Sequence, residues 1–408
     1  MVNGTKLSLL LILALTIRTS VAYTHSDVNT LYASLTSGYN KEIRPEVDQS
    51  LVTEVTASFN PISLQDIDEV DGTVTITGFF TLSWTDHNLI WNPGTYQGIS
   101  FIDLPHDSVW KPPVVNGNSV KQLKILTVSD MQVQVRNDGT VTFYPGDSFT
   151  FTCDIDSSHF PFDSQVCKMD MLSWGHSEST MRFTPGTIFT DLLASNSKWE
   201  ITNAKIYNAT YGALKIAGFN LNFTFKRRSF FFVINLLLPV DFLGFLNIFV
   251  FVLPQDSGER IGFCITALLA VVVFLTIAQG LLPSTATPRL ASMYELLIQN
   301  MSLSGCIVVS VIVGSWIYHR SDDTPIPNWI RKLVNCVCCK RKTTNGGTSL
   351  NEKNVVHSLD ESTNGVTNDV IDQNLTWKNI SNYWDITSFW FYLLWFIVGN
   401  VKYFIDTN

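Results

Sequence analysis

The chain has 408 residues, 46% of them hydrophobic and only 15% charged. Soluble globular chains carry about 25% charge, so the deficit points to a membrane protein, and the length allows two or three units. The net charge of −8 is spread out with no basic block, which argues against a nucleic-acid partner.

Residues 1–22 read as a signal peptide. Lys6 precedes the apolar run 7–15, and Ser20, Val21 and Ala22 offer small residues for cleavage. An uncleaved anchor is the alternative, but the run is short for a span. The mature chain then begins near Tyr23, outside the cell. Residues 27–39 pattern as a short helix. Short alternating segments follow at 73–81, 131–135, 140–144, 148–153 and 220–225, rich in Val, Ile, Phe and Thr. Asn137-Asp138-Gly139 is a hairpin signal. These features predict an extracellular, immunoglobulin-like antiparallel β-sandwich over 23–228, preceded by the short helix.

The sequence changes character near Arg228. Three long apolar runs cover 230–253, 261–282 and 290–318, and a fourth covers 386–401. A span needs about 20 apolar residues, so 229–318 holds three membrane helices and 384–408 a fourth, completed by Tyr403 to Ile405 while Lys402 snorkels. Between them, 319–383 is polar, with an amphipathic piece at 329–334. Arg331, Lys332, Lys340, Arg341 and Lys342 place it in the cytoplasm by the positive-inside rule. Its middle, 343–368, is rich in Asn, Ser, Thr and Gly and reads as disordered. Four crossings return the C-terminus to the outside, so a plasma-membrane, multi-pass topology is expected.

Cys153 and Cys167 lie in the exported half, where an oxidising compartment favours pairing them. Cys264 and Cys306 sit inside apolar runs. Cys336, Cys338 and Cys339 lie beside basic residues and are either palmitoylated or plain reduced thiols. Asn208 and Asn222 head exported glycosylation sequons.

The segment from Cys153 to Cys167 contains Phe160-Pro161-Phe162-Asp163. It resembles the signature loop of the Cys-loop receptors, the pentameric ligand-gated ion channels. Trp84-Thr85-Asp86, Asn92-Pro93 and Trp110-Lys111-Pro112 are similar to the nicotinic acetylcholine receptor branch, as are Tyr39-Asn40-Lys41, Arg44-Pro45, Pro239 and the segment from Pro254 to Arg260. The resemblance covers nearly the whole chain apart from the cytoplasmic stretch. It implies a subunit of a pentameric ligand-gated cation channel, assembled from identical or homologous subunits in membrane lipid. An extracellular small ligand would gate a pore for monovalent cations.

Taken as a helix, 261–280 carries Gly262, Thr266, Leu269, Val273, Thr276, Ile277 and Gly280 on one stripe. Hydroxyls there can replace hydration, and a leucine–valine ring can close the path by dewetting. Glu259 at its cytoplasmic start would form an acidic ring favouring cations, and the family's anion channels carry Pro-Ala where this chain has Gly-Glu. The acid that many cation channels carry at the outer end is replaced by Gly280.

The resemblance also implies coupling residues. Asp68, Glu69, Phe160, Pro161, Phe162, Asp163 and Arg227 match positions where the sandwich meets the membrane domain. Pro283 opens the outer connection 283–288. For the ligand box of aromatic rings, Trp174 matches the central tryptophan and Phe79 an aromatic of the complementary face. Tyr144 either lines that face or is a plain strand residue. Gly117 stands where the family often has tyrosine. The capping region 205–219 holds Tyr207 and Tyr211 but no adjacent cysteine pair. A depleted, roomier box predicts that the natural ligand is not simple acetylcholine. A subunit that does not conduct alone is the competing expectation. Asp241, two residues after Pro239, is an acid within a span, which faces a cavity or partner more often than lipid. Nothing in the sequence implies a cofactor or bound metal, and it has no nucleophile elbow, metal-ligand cluster or phosphate loop, so an enzyme is not expected.

Overall fold

Successive side chains of a strand face opposite sides, and the alternating stretch from Thr73 fulfils this as a strand of 18 residues in the computed structural model. The structure describes residues 23–127, 131–280, 292–321, 324–331 and 376–407. The chain divides into two compact units, residues 1–155 with 164–227, and residues 156–163 with 228–408. The units change over between Arg227 and Arg228, and the tip of the Cys153–Cys167 loop falls in the second unit. The signal peptide, the 283–288 connection, Pro283, Cys336, Cys338, Cys339 and the 343–368 stretch lie outside the described residues.

The first unit opens with α1 (His25–Thr36), where Thr24 and Asp27 close a capping box. The helix ends at Thr36, before the expected residue 39: Ser37 is already extended, and Gly38 then turns the chain at φ +78°. Eleven strands follow: β1 (Thr53–Asp68), β2 (Thr73–Ile90), β3 (Phe101–Pro105), β4 (Val114–Asn116), β5 (Gln132–Arg136), β6 (Asp138–Phe143), β7 (Gly146–Thr152), β8 (Ser164–Ser177), β9 (Met181–Ile188), β10 (Trp199–Tyr211) and β11 (Ile216–Arg227). One sheet runs β3-β5-β6-β2-β1-β9, with β7 also on β2, and the other runs β10-β11-β8-β4. The expected hairpin joins β5 to β6, with Gly139 at φ +84°. The sandwich is not wholly antiparallel: β9 crosses from the second sheet to the first and pairs with β1 in parallel.

Inward-facing rings fill the space between the sheets. Phe59 lies 4.8 Å from Phe80, and Phe80 lies 5.7 Å edge-on to Phe219. Such pairs add roughly 0.5–1.5 kcal/mol each beyond their buried area. Three motifs that are far apart in sequence converge at one polar point. The Tyr39 hydroxyl donates to Asp86 Oδ2 at 2.6 Å and accepts from the Trp110 amide at 3.0 Å. Burial pushes both the Asp86 carboxyl and the Tyr39 phenol upward in pKa.

The second unit has four helices long and apolar enough to cross a membrane: α2 (Phe230–Val252), α3 (Arg260–Gln279), α4 (Ser292–Tyr318) and α5 (Trp377–Thr407). Pro239 lacks an N–H and crowds the preceding turn. Ahead of it, α2 widens into a π-turn over Val233–Leu237. Between α2 and α3, a short 3₁₀ turn (Gln255–Ser257) ends at Gly258, whose φ of +70° suits glycine. Helix α5 begins before the apolar run, and this shortens the expected 319–383 segment. Trp377 Nε1 donates to the Thr324 carbonyl and Ser381 Oγ to the Gly314 carbonyl, both at 3.0 Å. Tertiary hydrogen bonds rather than hydropathy set its start.

Candidate functional site

Strand parity decides where the expected ligand residues go. Directly opposed residues of an antiparallel pair share a face. Tyr207 opposes Asn220, which opposes Asp170, and Gly218 opposes Leu172. Leu172 and Trp174 therefore share the outward face of β8, while Ser173 between them is fully buried. Gly117 follows β4 and donates its N–H to the Asp170 carbonyl at 2.7 Å. Trp174, Gly117, Tyr207 and Tyr211 thus lie on one face of the four-stranded sheet, with Trp174 55% exposed.

This face differs from the expectation in two ways. The space over Gly117 is not open, because Leu172 lies across it: a Cβ there would meet Leu172 Cγ and Cδ1 at 2.7 Å. Tyr211 is not a free cap either. Its hydroxyl donates to Asp170 Oδ1 at 2.8 Å, and the same carboxylate oxygen sits 2.9 Å from Lys168 Nζ. Burial, reinforced by Asp170, drives the Tyr211 phenol well above its ordinary pKa. Tyr207 is exposed.

Phe79 and Tyr144 lie on the other sheet, edge-on at 6.5 Å. They line a shallow apolar cavity of about 550 Å³ together with Ile62 and Met131. The candidate residues of one chain therefore form two half-sites on opposite sheets, and a single box would need two subunits. Asn208 is exposed on β10, whereas Asn222 on β11 is half-buried with its Oδ1 enclosed.

At the end of β11, Arg227 is buried with its guanidinium 4.0 Å from the Trp199 ring and Nη1 2.6 Å from Glu69 Oε1. Asp68 has a different task from its neighbour. Its Oδ1 accepts the amides of Val70 and Asp71 and closes the turn between β1 and β2.

Cys153 and Cys167 form the expected disulfide. At the loop tip, the Phe160-Pro161 peptide is cis. Phe160 is 1% exposed and packs edge-on at 5.1 Å against Phe232 of α2. The Ser158 carbonyl accepts both the amide (3.1 Å) and the hydroxyl (2.7 Å) of Ser292 at the start of α4. Hydrogen bonds from Ser158 hold the Asp156 carboxyl below the usual carboxylate range and fix this turn. Pro161 and Asp163 are buried, and Phe162 is exposed.

On α3, Cys264, Ala267, Val271 and Ala278 face the bundle and are buried. Gly262, Thr266, Leu269, Val273, Thr276, Ile277 and Gly280 are all exposed, on the side away from it. Thr266 and Thr276 donate their hydroxyl protons to the carbonyls of Phe263 and Val273, at 2.8 and 2.7 Å. Glu259 stands exposed at the helix start and makes no side-chain cap.

An anchor below this helix escaped the sequence reading. Arg260 Nη1 lies 3.1 Å from Asp385 Oδ2 of α5, both side chains buried, and Gln255 supplies the aligned hydrogen bond to the same oxygen at 2.6 Å. The only signal in the sequence was an acid early in an apolar helix.

Comparison with known proteins follows the same division. Residues 28–229 match the neurotransmitter-gated ion-channel ligand binding domain, and residues 236–368 match the neurotransmitter-gated ion-channel transmembrane region. The chain belongs to the neurotransmitter-gated ion-channel family. It is 30% identical over 316 residues to the acetylcholine receptor subunit alpha of Danio rerio, covering 75% of this chain and 69% of that one. It is likewise 30% identical to the neuronal acetylcholine receptor subunit alpha-6 of Rattus norvegicus, covering 74% and 62%, and to the neuronal acetylcholine receptor subunit beta-3 of Homo sapiens, covering 74% and 67%. The matches thus span between 62% and 69% of these relatives' own lengths. Members of the neurotransmitter-gated family are ligand-gated channels, not enzymes, and the chain is a multi-pass plasma-membrane protein with an extracellular N-terminal domain.

Proposed function

We propose that this subunit of a ligand-gated channel assembles with four identical or homologous subunits around a cation-selective pore lined by α3. The observation that carries the reading is the exposed stripe from Gly262 through Leu269 to Gly280, opposite the bundle-facing Cys264, Ala267, Val271 and Ala278. A face with small and hydroxyl residues below an apolar middle suits an aqueous axis better than lipid. Each threonine gives its proton to the backbone, which leaves its oxygen lone pairs free to accept from water or to meet a cation. Glu259 adds a negative ring at the inner mouth.

Ligand binds between the Trp174 face of one subunit and the Phe79–Tyr144 face of the next. Leu172 over Gly117 and the tethered Tyr211 leave few rings to surround a quaternary ammonium, so the natural ligand is a small molecule other than acetylcholine. The test is cysteine substitution along α3 in the full-length protein. Water-soluble thiol reagents should modify cysteines at 262, 266, 269, 273 and 276 and change the conductance, and uniform protection of the stripe would falsify the reading. Large choline-ester currents from this chain expressed alone would overturn the ligand statement.

A second reading has its own support. Among the described residues no cysteine lies in 205–219, and Tyr211 is bound to Asp170. The chain then supplies one face of a site and conducts only with other subunits. Currents from a homomeric assembly would exclude it.

A further inference from the structure

Asp241 has no role in the function above, yet it lies inside a membrane span. It lines a groove of about 540 Å³ between α2 and α5, whose walls include Phe162, Phe242, Phe245, Phe396 and Phe404. No residue of α3 lines the groove, so it faces away from the proposed pore. Its rim is open: Leu238, Phe242 and Phe404 are 58%, 57% and 50% exposed. The volume falls within the span of small-molecule sites, about 300–1,000 Å³.

The chemistry at its floor is unusual. Asp241 Oδ1 is enclosed, the Asn300 side chain lies within hydrogen-bonding reach of this carboxyl, and no cation pairs with it among the described residues. Tyr403, 4% exposed, is its other polar neighbour, and neither Asn300 nor Tyr403 supplies a positive charge. The nearby cation of α5, Lys402, is held by Glu295 at 3.1 Å. An acid in hydrocarbon surroundings is costly unless something pairs with it.

Asp241 lies eleven residues after Phe230, about 16 Å along a helix at 1.5 Å per residue, and the exposed Leu238, Phe242 and Phe404 leave the groove open on its flank. A compact molecule that dissolves in the bilayer can enter there.

We infer that the α2–α5 groove is a binding site for a lipophilic amine, whose protonated nitrogen pairs with Asp241 while its apolar body lies among the phenylalanine rings. The N–H donates to the carboxylate where it lines the groove, and the aromatic walls add cation–π attraction. Phe162 belongs to the Cys153–Cys167 loop tip, so an occupant touches that tip as well as two helices.

The experiment uses the full-length protein in phosphatidylcholine nanodiscs, with a photoreactive arylalkylamine and its neutral alcohol analogue as probes. The amine should label peptides containing Phe242 or Phe396 saturably, and excess unlabelled amine should compete. Asp241→Asn should weaken its half-saturation at least tenfold while leaving alcohol labelling unchanged. Leu238→Trp, a change at an exposed position, should block the groove and abolish saturable labelling. Equal affinity for the alcohol, or undiminished amine labelling in Asp241→Asn, overturns the assignment. If Asp241→Asn does not assemble, saturable amine labelling that persists in Leu238→Trp overturns it equally.

Discussion

Leu172 takes the room that a side chain at position 117 would need, with Cγ and Cδ1 both 2.7 Å from the place of a Cβ. The two residues are 55 positions apart in the chain, and the pairing of β4 with β8 brings them together. The missing aromatic has therefore not left a void. An aliphatic chain from the neighbouring strand lies there instead.

This makes the box testable by repair. Gly117→Tyr alone should gain little, because its ring must displace Leu172. Gly117→Tyr with Leu172→Ala restores a ring beside Trp174. Cation–π attraction of about 1–2 kcal/mol in a desolvated site then predicts roughly tenfold higher acetylcholine sensitivity in oocyte recordings with whichever subunits support current. An unchanged response in the double variant would show that position 117 does not face the ligand.

Arg227 sets a second test. Arg227→Gln leaves Glu69 without its 2.6 Å partner and exposes the Trp199 face. Breaking a buried pair costs about 3–5 kcal/mol, so surface expression should fall severely. Arg227→Lys should recover only part, since an ammonium cannot both stack on Trp199 and bond Glu69 as a planar guanidinium does. Full recovery would reduce the site to a simple charge requirement.

In the second unit, Asp385→Asn strips the charge facing buried Arg260. By the same argument the loss is about 3–5 kcal/mol, and assembled protein should drop in gel filtration of solubilised membranes. Adding Arg260→Gln should restore much of it, because no buried charge is then left alone. Equal loss in single and double variants would mean that the pair itself is not what anchors α5.

Glu259 carries the selectivity argument. Glu259→Gln removes five negative charges from the inner mouth of a homopentamer. Reversal potentials in sodium gradients should shift toward reduced cation preference, with assembly unaffected because the side chain is exposed and caps nothing. An unmoved reversal potential would assign selectivity elsewhere.

His176 predicts a pH response. Burial, with the Arg44 charge as a lesser cause, holds its pKa below the ordinary histidine value. The unfolded chain then binds the proton first as pH falls below about 6.5. Stability is complete above that value and is lost on acidification toward the lower folded pKa. The thermal midpoint of the purified protein should decline from pH 7.5 to 5.5, and His176→Gln should reduce the slope.

What the sequence disclosed and what it concealed differ by physical distance along the chain. The α3 stripe was readable because a helical face depends only on residues three and four apart. The loop with Phe160-Pro161-Phe162 was readable because its residues are contiguous. Leu172 over Gly117, Tyr211 on Asp170 and Arg260 beside Asp385 were hidden, since each depends on strand register or helix packing that no local pattern encodes. The parallel β1–β9 pair was hidden for the same reason. Asp68 and Glu69 looked equivalent as neighbouring acids, and only the turn geometry separated the cap from the ion-pair partner.

The widened turn at Val233–Leu237 accommodates one residue more than a regular helix would over that length. One residue corresponds to about 100° of rotation, so the segment above the bulge is out of angular phase with the segment below it. Counting 3.6 residues per turn from Asp241 back to Phe231 would assign the upper ring to the wrong side. The span can thus gain or lose a residue there and re-aim its outermost aromatics without being cut in two.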